Sequence, residues 1–227
     1  MNLPPLQPAV FLRRDNRFRA TVLVEGEPTA AHVPNSGRLT DLFEPGRRVW
    51  VAAAAAPHRK TPFDLKLVQM PTALVSVDAR LPNTLFAEAL AAGRLPGFPR
   101  AQVEAEVRVG NSRLDFRLSG PEGVCWVETK SVTLVEGDVA LFPDVPTLRG
   151  NRHLEELIAL RRQGQQAAVV FVVQRADARA FAPHEPVAPH FAGRLREAHA
   201  AGVRVLALRC RVSLESIEIA GSIETLL

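Results

Sequence analysis

The sequence predicts an α/β (α+β) protein of two domains, with a small β-barrel over residues 1–82 and a mixed-sheet domain over residues 83–227. Three observations predict this. The first 77 residues contain short apolar runs separated by turns, as in small all-β domains. The later residues combine strand-like runs with two long amphipathic helix patterns. A length of 227 residues with 47% hydrophobic content suits one large or two modest domains with a real core.

Six strand-like runs fill the first domain, and a basic turn from Arg13 to Arg17 separates the first two. Pro34-Asn35-Ser36-Gly37 is a turn cluster, and Pro57–Pro62 is a basic loop flanked by proline. At this size and turn spacing we expect an OB-type barrel. The predicted strands are Ala9–Arg14, Phe18–Val24, Thr29–Val33, Arg48–Ala52, Phe63–Met70 and Ala73–Val77.

The second domain begins with a short helix pattern, Leu85–Ala92, followed by a stretch rich in Gly and Pro from Gly93 to Pro99. Long helices are predicted over Thr147–Gln163 and Pro189–Ala201. The continuous apolar run Ala167–Val173 is typical of a buried central strand. The other predicted strands are Gln102–Val109, Ser112–Leu118, Val124–Val132, Val203–Leu208 and Val212–Ile219.

Charge and composition favour some classes of partner and cellular location over others. All of the net charge of +4 lies in residues 1–84, which carry 11 Lys and Arg against 7 Asp and Glu. This favours a polyanionic partner, although an ordinary charged surface explains it equally well. Two distant cysteines indicate a reducing compartment. With no apolar run near the roughly 20 residues that cross a bilayer, we expect a cytoplasmic protein without membrane association.

The chemistry is concentrated in a predicted hairpin whose loop is Gly120–Gly123. In that register Phe116 pairs with Val127, Leu118 with Cys125 and Leu114 with Thr129, which gives one largely apolar face. The opposite face then pairs Asp115 with Glu128, and Lys130 follows two residues along. Carboxylates about 5 Å apart repel each other unless a cation lies between them.

A divalent metal, Mg²⁺ or Mn²⁺, is the natural occupant of such a carboxylate pair. We expect Asp115 and Glu128 to bind it, with Glu106 on the preceding strand as a further ligand, and Lys130 to orient a water or stabilise charge on a phosphate. The spacing is that of the PD-(D/E)xK nuclease core. A solvated strand face with a cross-strand ion pair is the alternative reading of the same residues.

Several longer segments resemble the SfsA family, the sugar fermentation stimulation proteins. They are His32–Arg38, Asn111–Phe116, Val127–Leu134, Phe142-Pro143-Asp144 and Arg149–Leu157. The resemblance covers essentially the whole chain. It implies an OB-like domain, a PD-(D/E)xK-like domain, DNA binding without strong sequence preference and a regulatory link to sugar (maltose) metabolism. It places the nuclease-type positions at Asp115, Glu128 and Lys130, with Glu106 beside them.

Contacts to phosphate are predicted for Arg38, Arg59 and Lys60 in the barrel domain and for Arg149 and His153 on the first long helix. A solvated loop and a helix-surface histidine are the alternatives. Phe11, Phe18, Trp50 and Phe63 could stack on bases, but we expect them to fill the barrel core.

No Gly-rich phosphate loop, zinc-ligand spacing, Gly-x-Ser-x-Gly or helix-turn-helix pattern is found in the sequence. The leading interpretation is a non-specific DNA-binding protein. The alternatives are an active Mg²⁺-dependent phosphodiesterase and an inactive relic that only binds DNA. The sequence does not decide between single-stranded DNA, duplex DNA and RNA, and it leaves the oligomeric state open, a homodimer included.

Overall fold

Two β-sheets organise the chain, one in each half of the sequence. The structure is a computed structural model that describes residues 1–54, 59–95, 97–98, 102–110, 112–121 and 123–227. Parts of three predicted features lie outside these residues: the basic loop at His58, the stretch from Gly93 to Pro99, and the hairpin loop at Glu122.

The first sheet is a barrel. Its strands run in the order β3-β2-β1-β4-β5-β6, and a parallel pairing of β3 with β5 closes five of them into a ring, as in an OB barrel. The fold predicted for this half is therefore confirmed. Phe11 and Val22 are among the fully buried side chains that fill the barrel. The strands are β1 (Gln7–Asn16), β2 (Arg19–Val24), β3 (Glu27–His32), β4 (Arg48–Ala53), β5 (Phe63–Gln69) and β6 (Leu74–Ser76).

The second sheet is mixed and has nine strands in the order β10-β11-β13-β15-β14-β12-β9-β8-β7. The strands are β7 (Gln102–Val109), β8 (Ser112–Gly120), β9 (Gly123–Val132), β10 (Val135–Glu136), β11 (Val139–Phe142), β12 (Gln166–Val173), β13 (Ala180–Pro183), β14 (Arg204–Val212) and β15 (Ile217–Thr225). The described helices are α1 (Leu81–Ala91), α2 (Leu148–Arg162) and α3 (Pro189–Ala200).

Helices cover both faces of the second sheet. On one face α2 and α3 bury Leu157 and Phe191, and on the other α1 buries Phe86. The strand β12 pairs in parallel with β9 and β14 and lies under both layers, which explains the unbroken apolar run Ala167–Val173. The buried central strand predicted from that run is thus observed.

Some predicted boundaries were wrong. The helix α1 begins at Leu81 rather than Leu85, because Pro82 is tolerated in a first helical turn. The last strand, β15, runs over Ile217–Thr225 and not over Val212–Ile219. The short strands β10, β11 and β13 were not predicted, since two to four residues are too few to show a periodic pattern.

The two domains are held together by hydrogen bonds between their main chains and side chains. The amide of Ser76 donates to the carbonyl of Gln174 over 3.0 Å, and the Gln174 side-chain amide donates to the carbonyl of Asp78 over 3.0 Å. The Thr72 hydroxyl donates to Asp177 over 2.7 Å. No helix in the described part of the chain is both long and apolar enough to cross a membrane.

Candidate active site

A cavity of about 570 Å³ lies between the barrel and the second sheet. Its walls include Asp115, Glu128 and Glu106, which the sequence predicted as metal ligands, and Lys130, which it predicted as a catalytic residue. Three strands position them, since Glu106 lies on β7, Asp115 on β8, and Glu128 and Lys130 on β9. The fold therefore brings together the residues predicted for catalysis.

The hairpin of β8 and β9 has the predicted register where its ladder is formed. Phe116 pairs with Val127 and Leu118 with Cys125, and these four side chains pack on the α1 face. The described pairs end at Phe116 and Val127. Beyond that point the Asp115 carboxylate itself accepts a hydrogen bond from the Thr129 amide over 2.8 Å. Asp115 and Glu128 consequently do not form the cross-strand pair that we expected.

The predicted apolar face also breaks at this point. Leu114, expected beside Phe116, packs in the cluster on the α2 face, while Thr129 contacts Asn83 of α1. Glu106, on the strand beyond Asp115, has a φ of 58° and is likewise missing from the paired positions of β7 and β8. The regular pairing of β7 with β8 and of β8 with β9 is thus interrupted next to Asp115. At this position Glu106, Asp115 and Glu128 line the cavity.

The Asp115 carboxylate is held by three donors. Asn83 Nδ2 donates over 2.9 Å, the Thr129 amide over 2.8 Å and the Thr129 hydroxyl over 3.0 Å. Burial, and then the nearby charge of Glu128, raise the pKa of Asp115 above its ordinary value. A cation between the two carboxylates would remove the repulsion that contributes to this shift.

Glu128 is almost fully buried, with 3% of the residue exposed. Its Oε1 contacts Lys130 Nζ and His153 Nδ1. Burial favours the neutral carboxyl, but the hydrogen bond from His153 and the charge of Lys130 outweigh it, so the pKa of Glu128 is lowered. Its Oε2 is buried with no hydrogen-bond partner among the described atoms. An ionised oxygen without a donor is costly to bury.

His153 does not have the surface position that a phosphate contact requires. It lies on α2 with 4% of the residue exposed, and its Nδ1 faces Glu128. Arg149 Nε donates to its Nε2 over 3.3 Å. A neutral imidazole with its proton on Nδ1 satisfies both contacts. We therefore revise the role expected of His153 from binding phosphate to holding Glu128.

The donor set partly fits a divalent cation. Asp115 and the free Oε2 of Glu128 supply oxygen ligands of the kind that Mg²⁺ and Mn²⁺ prefer. Glu106 lines the same cavity but forms an ion pair with Arg113 Nε at 2.7 Å. No group of three or more His, Cys, Asp or Glu side chains converges as a metal cluster in the described ranges. Two carboxylates with remaining waters would suffice for Mg²⁺.

The residues predicted to contact DNA lie in different places. Arg38 lines a second cavity that adjoins the first, and Arg149 lines both. Arg59 is bound to Asp64 at 2.8 Å and to the Thr61 hydroxyl at 3.2 Å, so its guanidinium is already partnered. Lys60 is exposed and lies outside both cavities.

A contact between the domains was missed by sequence reasoning. Asp144 Oδ2 accepts from the Arg38 amide over 2.8 Å, and Asn35 Oδ1 accepts from the Gly37 amide over 2.8 Å. Asn35, Gly37 and Asp144 all line the main cavity. The turn cluster and the Phe-Pro-Asp segment were both visible in the sequence, but nothing in it showed that they meet.

An OB barrel joined to a nine-stranded mixed sheet that presents Asp, Glu and Lys to one cavity defines a class of two-domain proteins with a polar site between the domains. Two family profiles divide the chain in the same way. The profile described as "SfsA N-terminal OB domain" matches residues 12–77, and that described as "Sugar fermentation stimulation protein RE domain" matches residues 80–216. The chain belongs to the SfsA family.

Relatives of this chain span nearly its whole length. A sugar fermentation stimulation protein homolog of Moorella thermoacetica is 50% identical over 90% of this chain and 89% of its own. One from Chloroflexus aurantiacus is 46% identical over 94% of this chain and 83% of its own. The solved structure of Pyrococcus furiosus SfsA in complex with Ca²⁺ is 35% identical, with a TM-score of 0.92 over 100% of this chain and 98% of that one.

Proposed function

We propose that this protein binds nucleic acid without sequence preference and cleaves its phosphodiester bonds with the help of a divalent cation, Mg²⁺ or Mn²⁺. The observation that carries the proposal is the cavity in which Asp115, Glu128 and Lys130 meet, with the buried Oε2 of Glu128 free to bind a cation. A relative of the same fold has been solved in complex with Ca²⁺, an ion that also prefers oxygen ligands.

Each residue has a distinct role in this proposal. Asp115 and Glu128 would hold the cation, which when bound stabilises negative charge on the phosphate and lowers the pKa of a bound water. Asn83 and Thr129 fix the Asp115 carboxylate, and His153 fixes that of Glu128. Lys130 has three donor hydrogens, and Glu128 Oε1 accepts one of them. Because His153 Nδ1 carries the proton that it donates to Glu128, it does not accept from Lys130. Donor hydrogens of Lys130 therefore remain for a water or a phosphate oxygen.

Binding without cleavage is the second candidate function. It is favoured by the exposed arginines Arg38 and Arg149 beside the cavity. The regulatory link to sugar metabolism that the family resemblance implies would then act through DNA binding. The binding and cleavage proposals are compatible, and a cleavage assay separates them.

The test is incubation of the intact protein with end-labelled single-stranded and duplex DNA in Mg²⁺, in Mn²⁺ and in EDTA. We expect cleavage that needs the metal and that Lys130→Ala slows by about a hundredfold or more, the usual cost of removing one donor to developing charge. Arg196→Ala is the control, because Arg196 is an exposed residue of α3 that is paired with Glu185. If no substrate is cut under any condition, the cleavage proposal is wrong and the binding proposal remains.

A further inference from the structure

A groove of about 790 Å³ opens from the main cavity and lies between the two domains. One wall is the hairpin of β1 and β2, with Asn16 and Arg17. The floor is the turn that contains Ser36 and Arg38, and the other wall is the start of α2 with Leu148 and Arg149. Ser36, Gly37, Thr147 and Arg149 belong to both the groove and the main cavity, so the two spaces are continuous.

The groove is positive throughout. Arg17, Arg38 and Arg149 are exposed, and none of them forms an ion pair with a carboxylate in the described part of the chain. Elsewhere Arg196 and Arg211 are paired with Glu185 and Glu218, whereas Arg48 and Arg179 are exposed and form no ion pair among the described residues. The groove differs in that three such unpaired arginines line one concave space. No acidic residue lines the groove within the described ranges. Free guanidinium groups at this density favour a polyanion.

The fourth arginine of the groove has a structural role. The Arg14 guanidinium donates to the carbonyl of Arg17 over 2.6 Å and to that of Asn35 over 3.3 Å, and it also contacts the carbonyl of Arg38. It thereby ties the hairpin to the floor of the groove. Because Arg14 fixes the backbone of Arg17 and Arg38, their side chains project from a rigid frame rather than from mobile loops.

An apolar side chain in the groove indicates what form the polyanion takes. Leu148 lines the groove and is 84% exposed. An exposed Leu among arginines can gain apolar contact from the face of a base. Base faces are accessible to side chains in unpaired strands, whereas in a duplex they are stacked.

We propose that this groove binds an unpaired nucleic-acid strand and leads it into the carboxylate cavity. The backbone phosphates lie on Arg17, Arg38 and Arg149, and a base packs on Leu148. The inference rests on the proposed function for the identity of the polymer. It goes beyond that function by assigning the strand a path and a preference for single strands over duplexes.

The experiment measures binding of the intact protein in EDTA, so that cleavage plays no part. Labelled probes of equal length are a single strand, a duplex and a single strand that lacks bases, each titrated at several salt concentrations. We expect the single strand to bind about threefold to tenfold more tightly than the duplex, since the face of a base can contact Leu148 only when the base is unpaired.

Two variants test the two halves of the proposal. Arg17→Ala/Arg38→Ala is expected to weaken binding to all probes and to lower the slope of log affinity against log salt by about 0.7 for each phosphate that the variant no longer neutralises. Its control is Arg194→Ala/Arg196→Ala, which removes two paired arginines from α3. Leu148→Ala is expected to weaken binding of the single strand by about threefold to tenfold, and to leave the strand without bases unaffected.

The arginine path is wrong if Arg17→Ala/Arg38→Ala binds with the same affinity and salt slope as its control. The preference for unpaired strands is wrong if duplex and single strand bind alike, or if Leu148→Ala weakens the strand without bases to the same degree. Failure of cleavage leaves these binding results unchanged, so the two proposals fail independently.

Discussion

Glu128 shows how single contacts define the candidate site. Its two carboxylate oxygens differ, because Oε1 contacts His153 and Lys130 while Oε2 is buried without a partner among the described atoms. The same neighbours lower its pKa against the effect of burial. The side chain is therefore held ionised and oriented with one oxygen left free, which is the state that a cation ligand needs.

Replacement of His153 tests whether this residue supports Glu128 as a metal ligand. Replacing it with alanine removes the hydrogen bond that orients Glu128, so we expect the affinity for Mn²⁺ to fall by about 10- to 100-fold, as for other residues that support metal ligands. Calorimetric titration measures this. His153→Asn, whose side-chain amide can replace the Nδ1 donor, should recover part of the affinity. Equal affinities in wild type and His153→Ala would contradict the role assigned to His153.

The sequence indicated the candidate catalytic residues but not the residues that hold them in place. A two-residue period and a hairpin loop predicted that Asp115, Glu128 and Lys130 share a region of the sheet, and all three line one cavity. The direct pairing predicted for Asp115 and Glu128 is not formed, and the catalytic role of the three residues stays a prediction. Asn83, Thr129 and Asp144 were not, because their contacts join elements that are distant in sequence. The burial of His153 depends on how α2 packs, which helical periodicity alone does not settle.

At the scale of elements, the turn from Asn35 to Arg38 is fixed against Asp144, which lies two residues after the end of β11. A Cβ on Gly37 would clash with Asp144 Oδ2 and lie 3.0 Å from Asn35 Oδ1. The hydrogen bond from the Arg38 amide to Asp144 requires this close approach. Glycine is thus needed here for space, and the turn can reach the cavity only because the side chain is absent.

We expect Gly37→Ala to lower the free energy of unfolding by about 1–3 kcal/mol, the usual cost of a steric insertion at a packed site. Denaturant titration measures it. Gly193→Ala, in α3 with open space around its Cβ, is the matched control and should be neutral or stabilising. Adding Asp144→Ala to Gly37→Ala should restore part of the stability, and strict additivity of the two changes would argue against the clash.

Element types were largely predictable, and element boundaries less so. The strand β7 and the helices α2 and α3 fall within a residue of their predicted limits because each repeats its apolar period over several residues. The short strands β10, β11 and β13 lack that repetition. Their pairing depends on neighbours that are distant in sequence.

At the scale of the whole molecule, neither domain contains the candidate site alone. The second sheet supplies the carboxylates and Lys130, while the barrel supplies the turn at Asn35 to Gly37 and three arginines of the adjoining groove. Hydrogen bonds across the interface hold these parts in place. Part of the positive charge of the first 84 residues lies at this boundary, because Arg14, Arg17 and Arg38 line the groove from the barrel side.

The sequence showed that the net positive charge lies in the first 84 residues, but it did not show which of the basic side chains there face the groove. Arg59 and Lys60 resembled phosphate ligands as much as Arg38 did, and only the fold shows that Arg59 is bound to Asp64 while Arg38 faces the groove. Arg17 was assigned no role, since its position beside α2 depends on how the two domains pack together.

Binding of Mn²⁺ to the intact protein tests whether the cavity between the domains holds a divalent cation on Asp115 and Glu128. Calorimetric titration of the wild type is compared with Asp115→Asn, Glu128→Gln and the surface control Glu185→Gln. We expect a saturable site in the wild type and in the control that is absent from the other two variants. Undiminished binding in both Asp115→Asn and Glu128→Gln would contradict a cation site on these two carboxylates.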